Sequence, residues 1–320
     1  MNKTKISTLL LVLGLLSGLG CGPDAKRDNP LDPVNGRGVW GTVRNSKASP
    51  VPGAVVTAGP VNINTVCDAQ GGYQLELPGG ERYILAVRHP QYYDAADTID
   101  VPSDGKLEYD FIITGKPSLS NPRVNTYVIA HENGQLDRGL VLECLGTHPE
   151  GQASLDAYLF YAMVEGKTYP ADSSKPDVSV KKYAWDLNLE LIYGTIYDPE
   201  SLAAWIIGKT VTFSIEPGEG LAPRQATVPL FSPVPTSLVP NNGAALALPG
   251  NLSWTNAQAS GVDITIEIWQ GTQKYWSLTT ANVSNVQCTA TLAAGVYLWL
   301  VRATDGDGNS AAVEATFTIP

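Results

Sequence analysis

Cys67-Asp68-Ala69-Gln70-Gly71-Gly72-Tyr73-Gln74-Leu75-Glu76-Leu77-Pro78-Gly79-Gly80 is the stretch on which the fold reading turns. Asp68 followed by Gly71 predicts an Asx-type turn, in which the glycine permits the tight hairpin leading into a strand at Tyr73. Working outward, Gly38 to Val43 alternates like a strand, and Pro50-Val51-Pro52-Gly53 makes a turn before Ala54 to Thr57. Tyr83 to Val87 and Tyr109 to Ile113 read as further strands, the last closing the unit. Short strands punctuated by Gly and Pro, of which the chain holds 31 and 23, predict an all-β protein.

The order G-x-V, P-V-P-G-A-x-V, then D-x-x-G-x-Y-x-L-x-L-P-x-G over residues 38–115 resembles the carboxypeptidase regulatory-like domain. That resemblance implies a transthyretin-like β-sandwich without peptidase chemistry, of a kind that recurs as a spacer on exported proteins, some of them carbohydrate-related. Asp68, Gly71 and Tyr73 fall at the matching positions, and Cys67 replaces the usual Thr.

The N-terminus predicts export. Lys3 and Lys5 precede an apolar run, Ile6 to Gly20, which is shorter than the roughly 20 residues a membrane-spanning helix needs. Gly18-Leu19-Gly20-Cys21-Gly22 then resembles the lipobox of bacterial lipoproteins, with Gly18 standing where Leu is usual. The resemblance implies a signal peptide over 1–20 and a diacylglycerol, then palmitate, on Cys21. A plain secretory signal with an incidental cysteine is the alternative. Residues 21–37 hold three prolines and almost no apolar side chains, so they predict a flexible tether. Arg27 to Pro33 is similar to a segment that often follows the lipidated cysteine of envelope lipoproteins. Gly22 in place of Asp points to outer-membrane sorting in the bacterial cell envelope, with the exposed side open.

Pro117 and Pro122 mark the next boundary. Residues 116–231 offer strand candidates at 123–130, 139–146, 157–165, 187–193 and 210–216, and predict an Ig-like sandwich by strand spacing alone. Asp198-Pro199-Glu200 before Ser201 to Ile207 and Gly208 predicts one short helix, with Asp as cap and Pro at its first position. Over 232–320, Trp254, the run Gly295-x-Tyr297-x-Trp299-x-Val301-x-Ala303 and the turn at 305–310 resemble a bacterial fibronectin type III-like domain. The fold class expected is therefore serial β-sandwiches: transthyretin-like, Ig-like and fibronectin type III-like.

Composition narrows the function. A net charge of −10 gives no footprint for nucleic acid and would be repelled by anionic lipid, so membrane attachment must be covalent. Cys67, Cys144 and Cys288 are far apart and read as core thiols, one per module. His89, His131 and His148 have neither metal-pair spacing nor a nearby G-x-S-x-G, so no catalytic residue and no cofactor is predicted. Asp305-x-Asp307-x-Asn309 offers alternating oxygens to Ca²⁺ but lacks the later Glu of an EF-hand, and a hairpin turn reads the same way. Trp269, on the polar face of the alternating Val262 to Trp269 strand, with Tyr275 and Trp276 across a turn at Gly271, forms a candidate aromatic platform for a sugar or protein; packing is the alternative. The leading expectation is a non-enzymatic, membrane-anchored structural, adhesive or assembly module meeting an envelope protein or polysaccharide. A carbohydrate-binding surface lipoprotein comes second and a peptidase accessory a distant third.

Overall fold

The computed structural model describes residues 38–171, 173–176, 181–189, 199–218, 221–256 and 261–320. The signal peptide, Cys21, the tether and the helix cap at Asp198 lie outside them. The chain divides into two compact units, Met1–Gly115 and Lys116–Pro320.

The first unit holds β1 (Gly38–Asn45), β2 (Val55–Gly59), β3 (Ile63–Val66), β4 (Gly72–Leu75), β5 (Arg82–Arg88), β6 (Ala95–Asp100), β7 (Lys106–Glu108) and β8 (Phe111–Ile113). One sheet runs β4-β1-β7, with β8 also on β1, and the other runs β3-β2-β5-β6. Alternation does the sorting: Tyr83, Leu85 and Val87 of β5 turn inward to meet Val39, Val43, Leu75, Phe111 and Ile113 of the first sheet.

Tyr109 to Ile113 is not one strand. β7 and β8 both run parallel to β1 and are interrupted at Tyr109 and Asp110. There the Asp110 carboxylate replaces a strand carbonyl, its Oδ1 accepting from Thr42 N at 2.6 Å and from Thr42 Oγ1 at 2.9 Å. The Tyr73 hydroxyl donates to the freed Tyr109 carbonyl at 2.6 Å.

The second unit contains β9 (Ser118–Ala130), β10 (Leu136–Thr147), a 3-10 turn (Gln152–Ala157), β11 (Leu159–Val164), β12 (Lys167–Pro170), β13 (Ser173–Pro176), β14 (Lys181–Asn188), α1 (Pro199–Ile206), β15 (Thr210–Glu216) and β16 (Arg224–Thr227). It continues with β17 (Thr236–Val239), β18 (Ala244–Ala245), β19 (Gly250–Thr255), β20 (Val262–Gln270), β21 (Gln273–Ala281), β22 (Asn285–Cys288), β23 (Gly295–Asp305) and β24 (Ser310–Ile319).

Two cores form within this unit. Leu140, Leu142, Phe160, Leu202, Ile206 and Phe213 centre the first, between strands β13-β14-β10-β9 and the sheet β12-β11-β15-β16. Trp254, Ile264, Ile266, Ile268, Trp299 and Phe317 centre the second, between β17-β19-β22 and strands β24-β23-β20-β21.

The expectation of separate modules at 116–231 and 232–320 meets a different arrangement. Each segment has its own core, but one nine-stranded sheet, β13-β14-β10-β9-β24-β23-β20-β21 with β18 on β24, spans the boundary between them at Ser232-Pro233-Val234-Pro235. The join is a parallel pairing of Ser310–Val313 with Tyr127–Ala130. The physical reason is edge closure: β24 would otherwise expose unpaired N–H and C=O groups, and β9 covers one end while β18 covers the other. Next to the join, the Tyr127 ring lies across the strands over Gly139, where any Cβ would fall 2.2 Å from it.

Candidate functional site

The sheet face around Trp269 is the starting point for function. On β20, Val262, Ile264, Ile266 and Ile268 enter the core while Asp263, Thr265, Glu267 and Trp269 face outward, as the period of two requires. Gly271, at φ +58°, makes the tight turn into β21.

The candidate aromatic platform does not assemble. Ile268 pairs with Trp276 but Trp269 pairs with Lys274, so a bulge at Tyr275 shifts the register. Trp276 therefore packs against the core, and Tyr275 meets the buried Tyr297 edge-on at 5.6 Å between ring centroids. Trp269 alone stays on the outer face. Its ring lies under the Lys274 ammonium at 4.9 Å, and its Nε1 donates to Glu267 Oε2 at 3.2 Å. Lys274 also pairs with Glu267 Oε1, closing a local triad of cation, ring and carboxylate. A planar ligand stacking on that ring face would have to displace Lys274.

Asp305, Asp307 and Asn309 come together in the β23–β24 hairpin, and the turn's own donors occupy the oxygens. Asp305 Oδ1 accepts from Asp307 N at 3.0 Å and Asn309 N at 2.9 Å, while Oδ2 accepts from Asn309 Nδ2 at 3.0 Å. Asn309 Oδ1 faces the other way and accepts from Thr126 N at 3.0 Å. Asp68 repeats the pattern, its Oδ1 accepting from Gln70 N at 2.9 Å and Gly72 N at 2.7 Å. Asn45 repeats it again with Lys47 N at 3.0 Å and Ser49 N at 2.9 Å. In all three the fourth residue, Gly308, Gly71 or Ala48, has positive φ. The Asx turn read at Asp68 is thus a recurring device of this chain. Among the described residues, no group of three or more His, Cys, Asp or Glu is placed to hold a metal ion.

The imidazoles act as turn and seam elements. His89 Nδ1 accepts from Gln91 N at 3.2 Å, and His148 Nδ1 accepts from Glu150 N at 3.1 Å, each ahead of a proline. His131 lies between Glu314 and Asp137 at the β9–β24 join. Cys67, Cys144 and Cys288 are buried free thiols, one in each core. Burial, with Asp68 adding to it, pushes the Cys67 thiol up to about 11, and burial alone pushes Cys144 up to about 12. Sequence reasoning missed Glu132, whose carboxylate accepts from Thr316 N at 3.1 Å and Thr316 Oγ1 at 2.7 Å. It also missed His131 as a seam residue. The only local signal for either was the His131-Glu132-Asn133-Gly134 turn, which names no partner.

Residues 38–114 match the carboxypeptidase regulatory-like domain family, so the chain carries that domain. No curated protein matches the chain. Among solved structures, it is similar to a Bacteroides uniformis protein named for carbohydrate binding, at 12% identity over 60% of this chain and 95% of that one, with a TM-score of 0.25. It is also similar to BcpA, the major pilin subunit of Bacillus cereus, at 9% identity over 89% of this chain and 95% of that one, with a TM-score of 0.28. The Bacillus anthracis TIE protein matches at 12% identity over 89% of this chain and 48% of its own, with a TM-score of 0.27. Likeness at this level carries no assignment of ligand or partner.

Proposed function

We propose that the protein is a non-enzymatic envelope lipoprotein, lipidated at Cys21, whose folded units serve as a spacing or assembly module. One observation carries the reading most directly: among the described residues, the thiols, imidazoles and the turn carboxylate singled out as candidates are engaged within the fold. Three thiols lie in three cores, two imidazoles accept turn N–H groups, a third sits between carboxylates, and the Asp305 carboxylate is filled by its own turn. The regulatory-like domain at 38–114 supports the same reading. The −10 charge makes a covalent lipid the attachment consistent with the sequence, and the Cys21 thiol, preceded by small residues, is the group that would carry it. No helix among the described residues is long and apolar enough to cross a membrane.

Radiolabelled palmitate with cell fractionation tests the proposal. The native chain incorporates label and sediments with membranes, whereas Cys21→Ser loses both properties. Labelling that persists in Cys21→Ser overturns it. The sugar-binding reading loses the shared platform of three rings and keeps Trp269 on the outer face, with Tyr275 exposed beside the core.

A further inference from the structure

His131 stands where three strands meet, and both of its ring nitrogens face carboxylates. Nδ1 is 2.6 Å from Glu314 Oε1 on β24, and Nε2 is 2.9 Å from Asp137 Oδ2 on β10. His131 itself follows the last residue of β9. A neutral imidazole has one N–H and one lone pair, so it can satisfy only one of these carboxylates and turns a lone pair toward the other. Two acceptors at hydrogen-bond distance require a ring that donates twice, which is the imidazolium.

The location gives this requirement a consequence. The β9–β24 join is only four residues long in register, and it is what makes one sheet of the two segments. Asn309 holds one end of it through Thr126, and His131 with Glu132 holds the other. The charged groups around His131 are Glu132 in its own hairpin, Asp137 on β10 and Glu314 on β24. On β23, Arg302 stands opposite Ala312, two residues along the same sheet face from Glu314, which pairs with Leu300. The surroundings are thus mostly anionic. The side chains of His131, Asp137 and Glu314 keep 26%, 29% and 20% of their surface, so solvent screens the cluster only in part.

We infer that His131 is a pH-responsive clasp: protonated, it ties β24 to β9 and β10, and neutral, it loosens the join between residues 116–231 and 232–320. The Glu314 hydrogen bond, opposed by burial and aided by Asp137, raises the His131 pKa above its ordinary 6.5. A raised folded-state pKa fixes the sign. The clasp is fully present below the unfolded value and is lost as pH rises through the higher folded value.

Hydrogen exchange on the full chain, corrected for intrinsic rates, tests this at pH 5.5 and 8.5. The native protein should show several-fold lower protection at the higher pH for amides of Tyr127–Ala130 and Ser310–Val313, with β5 unchanged. Glu314→Gln gives Nδ1 a donor to accept from, so a neutral ring is satisfied on both sides and the pH effect should disappear while the join stays closed. His131→Gln should remove the pH effect by leaving the join loose at both values. Equal protection at both pH values in the native chain overturns the proposal, as does an undiminished pH effect in Glu314→Gln.

Discussion

Asn309 Oδ1 accepts a 3.0 Å hydrogen bond from the Thr126 backbone N–H, joining residues 183 positions apart. The same side chain donates its amide to Asp305, so one residue closes a hairpin and fastens it to the neighbouring segment. Replacing Asn309 with Ala leaves the buried Thr126 N–H without this acceptor and should cost about 1–3 kcal/mol. Urea unfolding followed by tryptophan fluorescence checks this, since most described tryptophans lie in the second unit.

Metal dependence follows from the same turn. The Asp305 carboxylate already receives three N–H donors, and a cation would have to evict them. The melting temperature should not change between millimolar Ca²⁺ and excess EDTA. A rise with Ca²⁺ that vanishes in Asp307→Ala would restore the cation reading of this loop.

The interruption of the regulatory-like domain's first sheet makes Gly41 intolerant of any side chain. A Cβ there would stand 1.9 Å from the Tyr109 carbonyl oxygen, a backbone atom that cannot swing away. Gly41→Ala should destabilise residues 38–114 by about 1–3 kcal/mol or more through forced backbone displacement. Thermal denaturation resolved by exchange at Leu85 and Val87 reports it, with the second unit unaffected.

The fold was legible where alternation was strong and burial one-sided. Tyr83, Leu85 and Val87 announced β5, and Val262 to Ile268 announced β20. β3 and β6 were not legible, because β3 buries no side chain fully and β6 buries only Ile99, leaving no apolar rhythm to read. The aromatic platform failed for a related reason. A single bulge residue, Tyr275, reverses which face Trp276 occupies, and nothing local in Gln273 to Ala281 signals it. The β9–β24 join was hidden because its partners are remote in the chain and its key groups, Thr126, His131, Asn309 and Glu314, look like ordinary turn and strand residues.

The two tryptophans of the β20–β21 hairpin should now behave differently. Trp269→Ala removes an outward ring held by a cation–π contact and one hydrogen bond, a loss of about 1 kcal/mol. Trp276→Ala removes part of a core wall and should cost about 2 kcal/mol. Paired denaturation curves check the order. Equal costs would return both rings to one face, and a glycan-array signal lost only in Trp269→Ala would revive the sugar-binding reading.

A spacing role depends on residues 116–320 acting as one body. Trp299, fully buried in the C-terminal core, donates its indole N–H to the Pro240 carbonyl at 2.8 Å, so Trp299→Ala weakens that core strongly while touching nothing in the other. Native-state hydrogen exchange of the variant is the most direct measurement. If the nine-stranded sheet couples the segments, amides at Leu140 and Leu142 lose protection along with those of Gly295–Asp305. Loss confined to residues 232–320, with Leu140 and Leu142 unchanged, would contradict it.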